Sequence, residues 1–323
     1  MKKILITGIS GFVGEYYSQF LQNTTKDSII HGVSRSKPRW DFIQNRDQLL
    51  DSIYFHQCDL LDTIKINQII EEVHPDYILH LAAFSSVAES WKTPLTSFLN
   101  NTNAFLNIIE AVRIQEINCK VLSVGSSEEY GIVKETDLPL PEKYPISPAN
   151  PYAVARVAQE YLAQIYVSGY NLNICCTRSF NHIGPGQKDH FVVSSIAKQF
   201  ADIALHNNDP VIKIGAGSIT RDFIDIDDVV LAYDAIFRQG IVGETYNVCS
   251  GNGYKISDIV HFLSELTGIP VKIEQQKDLF RSVDNPILIG SYKKLQDHTG
   301  WKPHIPIQES LKKVYNYWYE RLS

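Results

Sequence analysis

Apolar positions follow two rhythms along the first half of the chain. Short runs rich in Ile, Leu and Val at 3–7, 28–33, 77–81, 120–124 and 173–177 predict strands. Between them, apolar residues at helical spacing predict helices over 14–22, 64–73, 94–115 and 151–167. Strands that alternate with helices predict an α/β fold whose parallel, doubly wound sheet is covered on both faces. After about residue 180 the rhythm loosens, and Gly, Pro, Asn and Asp interrupt shorter elements. A helix is predicted at 192–205, a strand at 211–214, a helix at 257–266 and a helical end to the tail 301–323. This organisation predicts one domain over 1–180 with a return segment near 218–248. A smaller α/β domain, mainly 181–323, is expected over the C-terminal edge of the sheet, where open α/β folds bind ligands.

Composition narrows the function classes. The chain has 323 residues, 44% hydrophobic and 20% charged, with a net charge of −6. That balance gives no electrostatic reason to seek nucleic acid or anionic lipid. Any phosphate must be held by a local site. Met1-Lys2-Lys3 precedes an apolar run that ends at Thr7-Gly8, too short for a signal peptide, and no window suits a membrane span. A cytoplasmic enzyme is expected. Cys58, Cys119, Cys175, Cys176 and Cys249 form no C-x-x-C pair and read as reduced, buried thiols. The ten histidines show no metal-ligand spacing, and no hydrolase elbow is present, so no metal is expected.

The first strand runs into Gly8-Ile9-Ser10-Gly11-Phe12-Val13-Gly14. Gly8 permits a tight turn, Gly11 lets backbone approach a pyrophosphate, and Gly14 lets the helix pack on the strand. The helix N-terminus then offers free N–H groups and the positive end of a dipole. Strand, glycine triplet and helix together predict a Rossmann-type dinucleotide site. The second strand ends in Val33-Ser34-Arg35-Ser36-Lys37, with no acid for a ribose 2′-hydroxyl. Arg35 suits a 2′-phosphate, which favours NADP over NAD. Asp59, followed by Leu60, is placed to accept from the adenine amino group or to cap the next helix.

Further motifs complete a pattern. They are His80-Leu81-Ala82-Ala83, Ser126-Ser127-Glu128-Glu129-Tyr130-Gly131, Asn150-Pro151-Tyr152 and Arg178-Ser179-Phe180-Asn181-His182-Ile183-Gly184-Pro185-Gly186. Thr220-Arg221-Asp222-Phe223-Ile224-Asp225 and Tyr246-Asn247-Val248 follow. As an ordered set these resemble the extended short-chain dehydrogenase/reductases that modify nucleotide sugars. The likeness covers essentially the whole chain and points to the GDP-sugar branch of 4,6-dehydratases and 4-keto-6-deoxymannose reductases.

The resemblance implies roles. Tyr152 matches the catalytic tyrosine, whose phenol needs a nearby cation to exchange a proton with a sugar hydroxyl. The family places a lysine four residues on, and here Arg156 stands there. Arginine keeps the charge but cannot relay a proton, so the site is read as active and retuned. Ser126 matches the residue that hydrogen-bonds sugar O4, and Glu128 the acid/base of the dehydratases. Leu81, Ala82 and Ala83 would line the cofactor, and His182 would act through its backbone near the nicotinamide. Ser86, Asn181, Arg221 and Arg281 would hold the substrate, the arginines on its diphosphate.

The leading expectation is a GDP-hexose 4,6-dehydratase on GDP-mannose or GDP-N-acetylglucosamine that borrows and returns a hydride through NADP. A GDP-4-keto-6-deoxyhexose reductase, a 4-epimerase and a non-catalytic dinucleotide sensor are the alternatives. Related enzymes pair through the helices here at 94–115 and 151–167, so a homodimer joined by a four-helix bundle is expected.

Overall fold

The structure, a computed structural model, describes residues 1–25, 27–40, 46–276, 278 and 285–323. Its first strands are β1 (Lys2–Thr7), β2 (Ser28–Ser34), β3 (Ile53–Gln57), β4 (Tyr77–His80), β5 (Lys120–Ser126) and β6 (Asn173–Ser179). Between them lie α1 (Phe12–Thr24), α2 (Arg46–Asp51), α3 (Thr63–Val73), α4 (Val87–Lys92), α5 (Pro94–Phe98), α6 (Ala104–Ile114) and α7 (Pro151–Tyr170). There follow β7 (Asn181–Ile183), α8 (Val192–His206), β8 (Val211–Ile214), β9 (Thr220–Asp225), α9 (Ile226–Gln239), β10 (Thr245–Val248) and β11 (Gly253–Lys255). The chain ends with α10 (Ile256–Thr267), β12 (Lys272–Gln275), β13 (Ile287–Leu288), α11 (Lys293–Thr299) and α12 (Ile307–Leu322).

Seven strands form one parallel sheet in the order β10-β6-β5-β4-β1-β2-β3. The fold is the Rossmann-type doubly wound sheet that the alternation predicts. Both faces are buried, which is why its strands read as apolar runs without alternation. On one face Ile4, Ile6, Leu79 and Leu122 pack with Tyr16 and Tyr17 of α1 and Val229, Tyr233 and Ile236 of α9. On the other, Leu5, Val33, Ile78 and Val121 pack with Ile66 and Ile70 of α3, Phe105 and Ile109 of α6 and Ala163 of α7. A separate core joins α8, α10 and α12 to β8 and β9 through Phe200, Leu263, Trp318, Ile212 and Phe223. Among the described residues no helix is long and apolar enough to cross a membrane. All five cysteines are free and buried.

The helix expected over 94–115 is present from Pro94 to Ile114, with one feature its spacing does not predict: a π-helical turn, Leu99–Asn103, lies between α5 and α6. The cause is Asn101, which is fully buried. Its Oδ1 accepts from the Phe84 N–H at 3.0 Å, and its Nδ2 donates to the carbonyls of Ser97 at 2.8 Å and Phe84 at 3.3 Å. Reaching across to Phe84 widens the turn, and such π-turns are frequent at functional sites.

Candidate active site

The chain builds outward from β1 to β3 and then crosses to β4, so the strand order reverses between β1 and β4. A crevice opens at such a switch point. Gly8 leaves β1 with φ +71°, and a Cβ there would stand 2.7 Å from Ala82 Cα on the far wall. Only glycine fits that approach. The Gly11 N–H bonds to the Gly8 carbonyl at 2.9 Å, and Gly11 then starts α1 with no side-chain cap. A Cβ on Gly14 would meet the Ile9 carbonyl oxygen at 2.3 Å, so glycine there sets how closely α1 packs. The half-buried Phe12 and Val13 open α1, and half-buried Leu81, Ala82 and Ala83 follow β4. Gly184-Pro185 closes over this turn, where Tyr16 donates to the Pro185 carbonyl at 2.8 Å.

Arg35 and Lys37 are exposed just beyond β2, and the Arg35 carbonyl accepts from Gln57 Nε2 at 3.0 Å. Asp59 is exposed beyond β3, and its carboxylate accepts from the Leu61 N–H at 3.0 Å. It does not cap α3; Asp62 does, accepting from the Lys65 N–H at 3.0 Å. Leu60 is buried, and its carbonyl accepts from Asn107 Nδ2 at 2.8 Å.

Across the crevice, the end of β5 meets the start of α7. Ser126 Oγ accepts from the Glu128 N–H at 3.2 Å, and the Ser126 N–H donates to Glu129 at 2.7 Å. This capping box fixes the short 3-10 turn that carries Glu128. Asn150 caps α7, accepting from the Ala153 N–H at 2.8 Å, and its Nδ2 donates to Glu128 Oε2 at 3.0 Å. Tyr152 and Arg156 lie one helical turn apart and both are buried. Arg156 Nε donates to Tyr152 Oη at 3.1 Å, while Nη1 donates to the Val124 carbonyl at 3.0 Å and to Gln159 Oε1 at 2.8 Å. Ser126, Glu128, Tyr152 and Arg156 are therefore linked around one junction of strand and helix.

Buried charge supports this junction from below. Arg178 donates to Glu160 at 3.0 and 2.7 Å, and its Nε stands 3.8 Å from Glu129 Oε2. Burial, and then the charge of Glu160, hold the Glu129 carboxyl well above the usual range. Burial also keeps two nearby imidazoles neutral, pushing His80 down to about 3 and His182 to about 4. His80 ends β4 with its Nδ1 2.8 Å from Thr7 Oγ1, which ties the two walls of the crevice together.

The residues expected to hold substrate stand at the start of α4, in β7 and in β9. Ser86 is half-buried, and its hydroxyl caps α4 by accepting from the Glu89 N–H at 3.1 Å. Asn181 Nδ2 donates to the Asp222 carbonyl at 3.1 Å. Arg221 is buried, and its Nη1 donates to the carbonyls of Thr220 at 2.9 Å and Asn285 at 2.7 Å. Beside it, Asp222 accepts from the N–H groups of Ser250 and Gly251, and burial raises its carboxyl to about 6. Arg281 lies outside the described residues. Sequence reasoning missed Asn101 and Gln159, and held Asn150 only as part of the Asn150-Pro151-Tyr152 motif, with no role of its own. The Asn100-Asn101-Thr102-Asn103 run, unfavourable inside a helix, was the signal available for the first.

Comparison with known proteins adds to this geometry. A family model described as GDP-mannose 4,6 dehydratase matches residues 5–314. The GDP-6-deoxy-D-mannose reductase of Pseudomonas aeruginosa is 31% identical over 99% of this chain and 98% of its own length. The GDP-mannose 4,6-dehydratase of Yersinia enterocolitica is 28% identical over 96% of this chain and 91% of its own length. Among solved structures, RMD from Pseudomonas aeruginosa complexed with NADPH superposes with a TM-score of 0.87 at 30% identity, covering 99% of this chain and 100% of that one. The UDP-glucose 4-epimerase of Thermotoga maritima shares the fold, with a TM-score of 0.88 at 24% identity over 99% of this chain and 100% of its own.

Proposed function

Because the chain belongs to the GDP-mannose 4,6-dehydratase family of nucleotide-sugar enzymes, we propose that it is an NADPH-dependent reductase of a GDP-4-keto-6-deoxyhexose. The observation that carries the choice of reaction is the full-length likeness to a GDP-6-deoxy-D-mannose reductase. A dehydratase needs a carboxylic group aimed at the sugar, to take the C5 proton and help the C6 hydroxyl leave. Reduction of a 4-ketone needs no such group.

The turn Gly8–Gly14 and the uncapped start of α1 suit the diphosphate of a dinucleotide. Arg35 would meet the 2′-phosphate, Asp59 and Leu60 the adenine, and Leu81, Ala82 and Ala83 the far wall of the cofactor. NADPH, when bound, supplies a hydride. Tyr152 gives the proton that turns the sugar C4 carbonyl oxygen into a hydroxyl, and Ser126 donates a second hydrogen bond to that oxygen. Arg156 holds the phenol oxygen through Nε and carries the positive charge that the tyrosine needs. Arg221 and Asn181, with Arg281, would bind the GDP diphosphate, and Ser86 the sugar.

The same reading includes a homodimer. Val154, Ala158, Tyr161 and Ile165 form a stripe along α7, and Leu95 and Phe98 of α5 are exposed beside it. Exposed apolar side chains at this spacing suit a helix-bundle interface.

Incubation with a GDP-4-keto-6-deoxyhexose and NADPH tests the assignment. A reductase consumes NADPH stoichiometrically and adds two hydrogens to the sugar by mass. Loss of water from GDP-mannose or GDP-N-acetylglucosamine with no net cofactor consumed would establish the dehydratase instead. That second reading is favoured by the place of Glu128, which shares its turn with Ser126.

A further inference from the structure

We propose that Gln159 is the positioning residue that lets an arginine serve beside the catalytic tyrosine. The proposal rests on the reading of Tyr152 and Arg156 as the catalytic pair. A guanidinium is long and planar, with donors on three nitrogens. In this site the nitrogen that faces the phenol is Nε, in the middle of the side chain, at 3.1 Å. That orientation requires the outer end to be tied down. Both N–H groups of Nη1 are taken, one by the Val124 carbonyl at 3.0 Å and one by Gln159 Oε1 at 2.8 Å.

Gln159 is itself fixed. It is only 1% exposed, three residues after Arg156 on the same helix. Its Nε2 donates to Ser123 Oγ at 2.8 Å and to the Val124 carbonyl at 3.3 Å. The amide has one workable orientation. A flip would set its NH2 against the guanidinium donors and its oxygen against the Val124 carbonyl, leaving buried groups unmatched. Gln159 touches no reacting atom, so it acts through Arg156.

The prediction separates positioning from mere packing. Gln159→Met keeps length and burial but removes all three bonds. Turnover should fall about tenfold with little change in KM for the sugar nucleotide, as expected when one charge-assisted hydrogen bond is lost from the transition state. The split is the readout: a merely structural loss would also weaken sugar-nucleotide and NADPH binding, whereas a displaced Arg156 lowers turnover alone. In an Arg156→Lys background, where a compact ammonium needs no such tie, Gln159→Met should lower turnover no further.

Ser123→Ala removes only the hydroxyl that holds the glutamine amide, and should lower turnover in the same way by less. This variant carries the test if Gln159→Met does not fold. If turnover is unchanged in whichever variant folds, if KM rises with it, or if turnover falls equally in the Arg156→Lys background, the positioning role is overturned. If Tyr152→Phe retains wild-type turnover, it is the underlying reading of the site that fails.

Discussion

Tyr152 and Asp222 show how far single side chains can be tested. Tyr152→Phe removes one oxygen and, with it, the partner of Arg156 Nε. Turnover should fall roughly a hundred- to ten-thousandfold, the usual contribution of general acid–base catalysis. NADPH affinity, measured by fluorescence titration, should stay within a few-fold of wild type. Asp222 makes a prediction about pH. Its carboxyl is raised from 3.8 to about 6 by burial, against the donors from Ser250, Gly251 and Gly290. A raised carboxyl binds its proton more tightly folded than unfolded. The stability it contributes is therefore complete below pH 3.8 and is lost as pH rises to about 6. In thermal melts across this range, wild type should lose stability relative to Asp222→Asn as pH rises, because the neutral amide does not titrate. A wild type that instead gains on Asp222→Asn with rising pH would refute the raised carboxyl. Arg156 was legible as a departure because it falls inside a motif. Gln159 was not, since a glutamine on a helix reads as solvent-facing until the strand that buries it is known.

The elements divide along the same line. Strands in the middle of the main sheet announced themselves as apolar runs, and the helices between them by their spacing, so five of its seven strands were readable; the edge strands β3 and β10 were not predicted. β9 was not, although its residues stood in a recognised motif. Its Thr-Arg-Asp-Phe-Ile-Asp sequence hides three charged side chains, Arg221, Asp222 and Asp225, which find partners far along the chain. The π-turn between α5 and α6 escaped for a related reason: local spacing continues across it, and only the contact from Asn101 to Phe84 marks the widened turn. That contact anchors the segment just beyond Leu81, Ala82 and Ala83. Asn101→Ala should cost about 1–3 kcal/mol in chemical denaturation, because the buried Phe84 N–H and carbonyl lose their partner. It should also weaken NADPH binding several-fold, since the far wall of the crevice loosens. Unchanged NADPH binding despite the loss of stability would confine the π-turn to a structural role.

At the scale of the whole molecule, the two faces of the sheet differ in what lies outside their helices. α9 and α11 share a core with the sheet through Val229, Ile236, Leu295 and Trp301. On the opposite side α7 turns Ala163 and Tyr166 inward and leaves Tyr161 50% and Ile165 57% exposed. Leu95, at 71% exposure, extends that apolar surface onto α5. A folded monomer gains nothing from this stripe in water, whereas a second copy would cover both sets of helices at once. Ile165→Glu places a charge at the centre of that surface and touches neither the crevice nor Tyr152. It should convert a dimer at micromolar concentration to a monomer in light-scattering chromatography. The melting temperature should then lose its dependence on protein concentration, because the dissociation step is gone. If wild type already runs as a monomer, or if Ile165→Glu remains dimeric, the stripe on α7 is not the contact between copies.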